Sequence, residues 1–263
     1  MPPSLLLISL GNPGARYALT RHNAGHIVLS SLATQFSSPS FSPSPYGNAH
    51  SASGPGLSTS ITVDLPAARS AKRPRPSLPS SPTSPPSWSA PPPPPQTQSQ
   101  WTLHQCPSLM NVSGRDVAHA WRSFLAYGPG DRADKRLCIL HDSLEDNLGR
   151  VRLQLDGSGV SARGHNGIKS VLETFGKQRR RKGKAGAKKR KGEPGRVDEE
   201  KDDDDEDPGE AKWIRVNVGI GRPESRDPDR VADYVLQKFG QGELDVLRSR
   251  TTDEVLKLLK GIK

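Results

Sequence analysis

The sequence predicts an α/β protein: a single three-layer domain with a mixed, mainly parallel sheet flanked by helices and interrupted by disordered insertions. Three observations carry this expectation. Apolar runs of strand length, such as Leu5-Leu6-Leu7-Ile8 and Arg136 to His141, alternate with stretches whose apolar residues recur at helical spacing, the order of strands joined by crossover helices. Only 32% of the 263 residues are hydrophobic, but they are gathered in separate blocks. Between the blocks lie stretches too poor in apolar groups to offset the entropy of ordering them.

Taken in order, residues 4–10 read as a buried strand. Residues 23–36 read as a helix with Ile27, Val28, Leu32 and Phe36 on one face. The Ser/Pro/Gly-rich stretch 37–57, and 66–100 with its run Pro91 to Pro95, read as low-complexity insertions. Between them Ser60 to Leu65 alternates with period two and reads as a strand. Trp101 to Cys106 is another strand. Ser113 can cap a helix carrying Val117, Ala120, Trp121, Phe124 and Leu125. Arg136 to His141 is a third core strand and Gly149 to Leu155 an alternating fourth. A glycine-rich loop, 156–167, leads into a helix that ends near Phe175. The stretch 177–211 is a further insertion, basic from Lys177 to Lys191 and acidic from Glu193 to Glu210; blocks of like charge stay solvated. Trp213 to Gly219 is the last strand, followed by helices over about 228–239 and 242–260. The whole chain, 1–263, thus reads as one domain with insertions.

The formal charge of +10 and the pI of about 9.8 favour a polyanionic partner. Cys106 and Cys138 have neither metal-site nor redox spacing and read as small buried residues. No run reaches membrane-spanning length, so no membrane partner is expected. The first strand starts about four residues in, which leaves no room for a cleavable presequence. The expected compartment is the cytoplasm, with the mitochondrion as the second choice.

The chemistry-bearing residues sit just beyond strand ends. Asn12 follows the first strand in the turn Gly11-Asn12-Pro13-Gly14, ahead of Tyr17, Thr20, Arg21, His22 and Asn23. Asn111 follows the strand ending at Cys106, Asp142 follows Arg136 to His141, and His165-Asn166 follow the loop after the fourth strand. Parallel strands would bring all of these to one rim of the sheet, where α/β proteins bind ligands. No Gly-x-Ser-x-Gly elbow and no zinc-type ligand set is present, so neither a metal nor another cofactor is expected. The plainer readings are a loop histidine for His22, a turn residue or cap for Asp142, a turn former for Asn12 and a cap for Asn111.

Five segments in order resemble the bacterial-type peptidyl-tRNA hydrolase family. They are Gly11-Asn12-Pro13-Gly14 with Tyr17 and Thr20-Arg21-His22-Asn23; Met110-Asn111-Val112-Ser113-Gly114; His141-Asp142 with Leu148-Gly149; Gly164-His165-Asn166-Gly167 with Lys169; and Val218-Gly219-Ile220-Gly221-Arg222-Pro223. The resemblance implies hydrolysis of the ester between a peptide and the terminal ribose of tRNA, recycling the tRNA. It implies His22, Asp142 and Asn12 as catalytic residues, with His22 as the base and Asp142 holding its other ring nitrogen. Asn111 would hold the peptide, Asn166 the water or the 3′ end, and Tyr17 would brace the loop or stack on the terminal adenosine. Arg152, Lys169 and Arg222 are the expected phosphate contacts. His165 reads as structural, and His26, His104 and His141 as packing or solvent residues.

The chain departs from the family pattern at two places. Gln154 and Asn217 are neutral where the family commonly carries a basic clamp on the tRNA 5′ phosphate. The loop Asp156 to Arg163 is longer than usual, with Arg163 where a glycine is typical. These departures keep a second reading open, a non-catalytic RNA-binding relative of the same fold acting in splicing or at the ribosome. The expected enzyme is a monomer, and the charged stretch 177–211 is a candidate contact for the ribosome or another partner.

Overall fold

Strand β1 (Ser4–Ser9) is buried along its whole length, as a run of Leu and Ile without polar alternation requires when both faces of a strand are covered. A computed structural model describes residues 2–48, 54–66, 96–159, 161–176 and 213–262. Most of the stretch 66–100 and the whole of 177–211 lie outside the described residues. Seven strands form one sheet. In chain order they are β1, β2 (Ser42–Pro43), β3 (Leu57–Pro66), β4 (Gln96–Gln105), β5 (Lys135–Ser143), β6 (Val151–Gln154) and β7 (Ile214–Gly219), and their order in the sheet is β2-β3-β4-β1-β5-β7-β6. The central four, β4-β1-β5-β7, are mutually parallel, while β2, β3 and β6 pair antiparallel at the edges.

Alternation along β1 divides the core. Leu5 and Leu7 join the cluster formed with α1 (Ala24–Gln35) and the C-terminal helices. Leu6, Ile8 and Leu10 join the cluster formed with α2 (Gly114–Tyr127) and α3 (residues 166–176). These are the two helical layers on either side of the sheet. The C-terminal helices are α4 (Pro228–Leu236), α5 (Gln241–Val246) and α6 (Thr252–Leu259), the last two joined through a π-helical turn, Leu247–Thr251. Lys135 is buried at the start of β5, where its ammonium donates to the carbonyls of Phe124 and Leu125 at the end of α2, the helix end that favours a cation.

The structure extends or moves three expected elements. β3 and β4 are longer than the alternating pattern indicates, pairing from Leu57↔Gln105 to Pro66↔Gln96; on β3 the alternating Ile61, Val63 and Leu65 are buried, but on β4 Thr97 to Gln100 are all polar, so no apolar signal marks that half of β4. Within 37–57, Ser44 is buried and Phe41 and Tyr46 pack against the core. The helix expected to run to Phe239 stops at Leu236. From Gln237 the chain is extended and pairs with the segment before His22, through Arg21 N–H to the Gln237 carbonyl (2.9 Å) and Phe239 N–H to the Leu19 carbonyl (3.0 Å).

α1 approaches the sheet at Gly25, where a Cβ would lie 2.8 Å from the Leu140 carbonyl oxygen and 3.2 Å from that of Leu10. Both obstacles are backbone of central strands and cannot swing aside. Gly25→Ala is therefore expected to cost about 1–3 kcal/mol by overpacking, read as a lowered midpoint in chemical denaturation. A variant as stable as the parent would show that α1 has room to move.

Candidate active site

The carboxyl ends of β1, β4 and β5 meet at one rim, as parallel strands dictate, and the site is built there. Asp142, at the end of β5 and 3% exposed, is the anchor. Its Oδ1 accepts from His22 Nδ1 at 2.8 Å and from His165 Nε2 at 3.0 Å. His22 arrives on a 3₁₀ turn, Arg21–Asn23, that leads directly into α1. With Nδ1–H committed to the carboxylate, His22 presents Nε2 to the cleft as a lone pair.

His165 arrives by a different route. β6 is antiparallel to β7, so its carboxyl end points away from the rim. The loop from Leu155 must travel back, and Arg215 pins it. The Arg215 guanidinium donates to the Gly157 carbonyl at 2.6 and 2.9 Å and to the Ser161 carbonyl at 2.9 Å. His165 then stands before α3, with Nδ1 accepting the Ile168 N–H at 3.2 Å. That bond fixes the tautomer: Nε2 carries the proton that goes to Asp142.

Asn12 is held by its own backbone. Its N–H donates to Asn23 Oδ1 (2.8 Å) and its carbonyl accepts from Asn23 Nδ2 (2.9 Å). Its side-chain Oδ1 accepts the Met110 N–H at 3.0 Å, which leaves the amide N–H groups of Asn12 as donors at the cleft. Asn23, 1% exposed, thus braces the turn and ties it to the start of α1.

These groups open on a cleft of about 690 Å³. Asn12, His22, Asn111, Asp142, Arg152, His165, Asn166 and Arg222 all line it, as do Gln154 and Asn217. Val231, Val235 and Leu236 of α4 and Leu109 supply an apolar wall. Two expected residues lie elsewhere. Tyr17 lines neither this cleft nor the larger one described below; its carbonyl accepts from the Thr20 N–H and hydroxyl, both at 2.9 Å. Lys169 is exposed on α3, outside the cleft lining. The larger cleft, about 850 Å³, lies against α1, shares Asn12 with the first and is also lined by the brace of Asn12, Asn23. It contains His26 but neither His22 nor Asp142.

The sequence places His165 near the rim as a structural residue and Asn23 in the first motif, but gives no sign of their bonds to Asp142 and Asn12, and it offers no role for Arg215. A histidine in a glycine-rich loop carries no sign of its partner until the loop's path is known. Arg215 sits within the last strand and is 2% exposed, a burial no local pattern of the sequence marks.

The electrostatics follow from burial and pairing. Burial alone would raise the Asp142 pKa, but the two imidazoles, by charge and hydrogen bonding, hold it well below the usual carboxylate range. Burial opposes protonation of His22, and the Asp142 charge and hydrogen bond outweigh it, so its pKa stands above the ordinary 6.5. His141 is kept neutral by burial, with its pKa down to about 3, and donates Nδ1–H to the Asp142 carbonyl at 2.7 Å. The nitrogens and carboxylate of His22, Asp142 and His165 lie within 4.8 Å of one another, a spacing that would suit a metal ion. The Ile168 bond argues against it, because a protonated Nε2 on His165 has no lone pair to give. What remains is a carboxylate-steered imidazole beside amide donors, an arrangement that can activate water against a carbonyl carbon.

The pairing has a pH signature. Asp142, depressed when folded, contributes stability above its unfolded pKa near 3.9 that is lost as pH falls. His22, raised when folded, contributes stability below 6.5 that is lost as pH rises through its higher folded pKa. Asp142→Asn is therefore expected to be destabilising by about 1–3 kcal/mol, most strongly near pH 5–6 and less on either side. Thermal melts across pH 3–9 check this, and a difference independent of pH would contradict the pairing.

Known proteins resemble this chain in sequence and in fold. The family model described as peptidyl-tRNA hydrolase matches residues 6–54 and 95–199. A peptidyl-tRNA hydrolase of Solidesulfovibrio magneticus is 30% identical over 248 residues, which cover 94% of this chain and 82% of that protein. A probable peptidyl-tRNA hydrolase of Schizosaccharomyces pombe is 24% identical over 259 residues, covering 98% and 82%. The crystal structure of peptidyl-tRNA hydrolase from Acinetobacter baumannii superposes with a TM-score of 0.53 at 21% identity, covering 97% of this chain and 86% of that one, a likeness of fold. A family match over more than half the chain, with relatives spanning nearly all of it, settles the kinship: the chain belongs to the peptidyl-tRNA hydrolase family.

Proposed function

We propose that His22 is the general base with which this chain hydrolyses peptidyl-tRNA. The enzyme is a carboxylic ester hydrolase that cleaves the bond between the peptide and the tRNA. The observation that carries the role of His22 is the 2.8 Å bond from its Nδ1 to Asp142. That bond sets the tautomer, leaving Nε2 to take a proton from water as the oxygen attacks the ester carbonyl. The resulting imidazolium is stabilised by the Asp142 charge beside it. When the tetrahedral intermediate collapses, the ribose oxygen leaves with the proton held on Nε2, and the peptide leaves as a carboxylic acid that gives its proton to solvent.

Asn12 supplies amide donors to the carbonyl oxygen as it gains charge. Asn111 and Asn166, exposed at the mouth of the cleft, hold the peptide and the water or 3′ end. Asp142 and His165 are positioning residues. The apolar wall from α4 suits a peptide side chain or the terminal base. A non-catalytic RNA-binding role would leave the His22–Asp142 pair without a task.

Action as a monomer remains the proposed state. Among the described residues no helix is long and apolar enough to cross a membrane. The cytoplasm remains the proposed compartment, with the mitochondrion second, and the charged stretch 177–211 the proposed contact for a ribosome or other partner. We also propose that 67–95 is an insertion the domain can lose, since Pro66 and Gln96 face each other at the ends of β3 and β4.

His22→Ala is expected to lower kcat on N-acetyl-aminoacyl-tRNA by about 10²–10⁴-fold, the usual worth of a general base, with tRNA binding retained. Loss of less than threefold would remove His22 from the chemistry. In the parent, kcat/KM should rise with pH through an apparent pKa above 6.5; in Asp142→Asn, with burial left unopposed, that pKa should fall below 6.5 while the plateau drops. Replacing 67–95 by Asn-Gly should preserve a single cooperative unfolding transition, and its disappearance would place those residues in the core.

A further inference from the structure

Five arginines line the cleft: Arg152, Arg163, Arg215, Arg222 and Arg226. Three are committed within the protein. Arg152 is paired with Asp146 at 2.8 Å, Arg222 is paired with Glu145, and Arg215 holds the loop carbonyls of Gly157 and Ser161. Among the described residues, no hydrogen bond or ion pair engages the guanidinium of Arg163 or Arg226. Of these two, Arg163 is the one built into the site. It lies two positions before His165, whose ring is on Asp142.

The backbone of Arg163 is also unusual. Its φ is +46°, followed by Gly164 at +86°, a left-handed pair that glycine would occupy without strain at both positions. An arginine held there, exposed and lining the cleft, is an observed outlier at a site, the kind of feature that function retains. Its charge also presses on a neighbour. Burial, and then the charge of Arg163, bring the Arg215 pKa down to about 10. An anion seated beside Arg163 would relieve that repulsion.

We propose that Arg163 is the residue with which this chain grips an RNA phosphate beside the reacting ester. The inference rests on the hydrolase reading above and names the group that recognises the RNA arm of the substrate. The class of ligand follows from the substrate's chemistry. The scissile ester ties up the peptide's carboxyl group, so the phosphodiesters are the anions every substrate brings. A guanidinium is the side chain whose fork matches two phosphate oxygens. The two neutral residues in the same cleft, Gln154 and Asn217, cannot supply that charge, and Asn217 Nδ2 is already committed to the Arg152 carbonyl at 2.9 Å.

Arg163→Gly tests this without backbone strain, because glycine takes the same φ; its melting temperature should equal or exceed the parent's. With N-acetyl-aminoacyl-tRNA at ~50 mM salt, KM should rise about five- to tenfold. The ratio to the parent should shrink about three- to fourfold by ~200 mM salt, as loss of one phosphate contact requires. Arg163→Lys should keep most of the salt dependence. On N-acetyl-aminoacyl-adenosine, which carries no phosphate, Arg163→Gly should match the parent. Unchanged KM at both salt concentrations overturns the proposal. So does an equal loss on the phosphate-free substrate, which would make Arg163 a loop-shaping residue. Binding of deacylated tRNA to the parent and to Arg163→Gly reads the same grip without turnover, so failure of the hydrolase reading and failure of this inference remain distinguishable.

Discussion

A single carboxylate oxygen, buried at the end of β5, accepts two imidazole N–H groups from opposite directions in the chain. Burying a charge is costly unless it is paired and hydrogen-bonded, and Asp142 is 3% exposed. The fold must therefore deliver His22 and His165 together, or the carboxylate is left stranded. Much of the surrounding architecture can be understood as meeting that demand. The 3₁₀ turn at Arg21–Asn23 aims His22 at the rim, the close seat of Gly25 on β5 fixes the helix that follows, and the Ile168 N–H orients the ring of His165.

The part of this that was legible in the sequence is the part made of local signals. The apolar run of β1, the helical stripe of α2 and the polar residues just past strand ends all carry their structure in their spacing. Position past a strand end marks His22, Asp142 and Asn12 only as polar residues near one rim; their catalytic roles come from the resemblance to the peptidyl-tRNA hydrolase family. Residues whose role depends on a distant partner were not legible. His165 belongs to the site only because a long loop doubles back, and that path depends on Arg215 reaching Gly157 and Ser161. The outer pairs of β3 and β4 were hidden for a related reason. There β3 supplies the buried apolar residues Val63 and Leu65, and the polar β4 residues opposite pair through backbone, with no apolar pattern to announce them.

The cleft's charge is less positive than its composition suggests. Burial of Asp146 and pairing of Glu145 place a carboxylate against two of the five arginines, and burial of Arg215 turns a third into a structural clamp. A count of basic residues would rank all of them equally as contacts for RNA. Sorting them by partner gives a different picture, in which affinity for a polyanion rests on the few cations the fold leaves uncommitted. The overall charge of +10 then acts at long range, raising the local concentration of RNA and setting the salt dependence of encounter.

The strap from the C-terminal part of the chain bears on the same chemistry from the other side. Arg21, next to His22, donates from Nη2 to both carboxylate oxygens of Glu243 at 2.9 and 3.0 Å and lies against the rings of Tyr234 and Phe239, 4.6 and 5.0 Å from their centroids. Tyr234 belongs to α4, whose Val231 and Val235 wall the cleft, and its hydroxyl donates to the Ile220 carbonyl at 2.7 Å just past β7. The apolar wall and the turn carrying His22 are thus fastened to each other through Arg21 as well as to the sheet, through Tyr234 and the His22–Asp142 bond. A ligand that pushes on α4 meets resistance from the residue beside His22, so the shape of the cleft and the aim of the imidazole are set together.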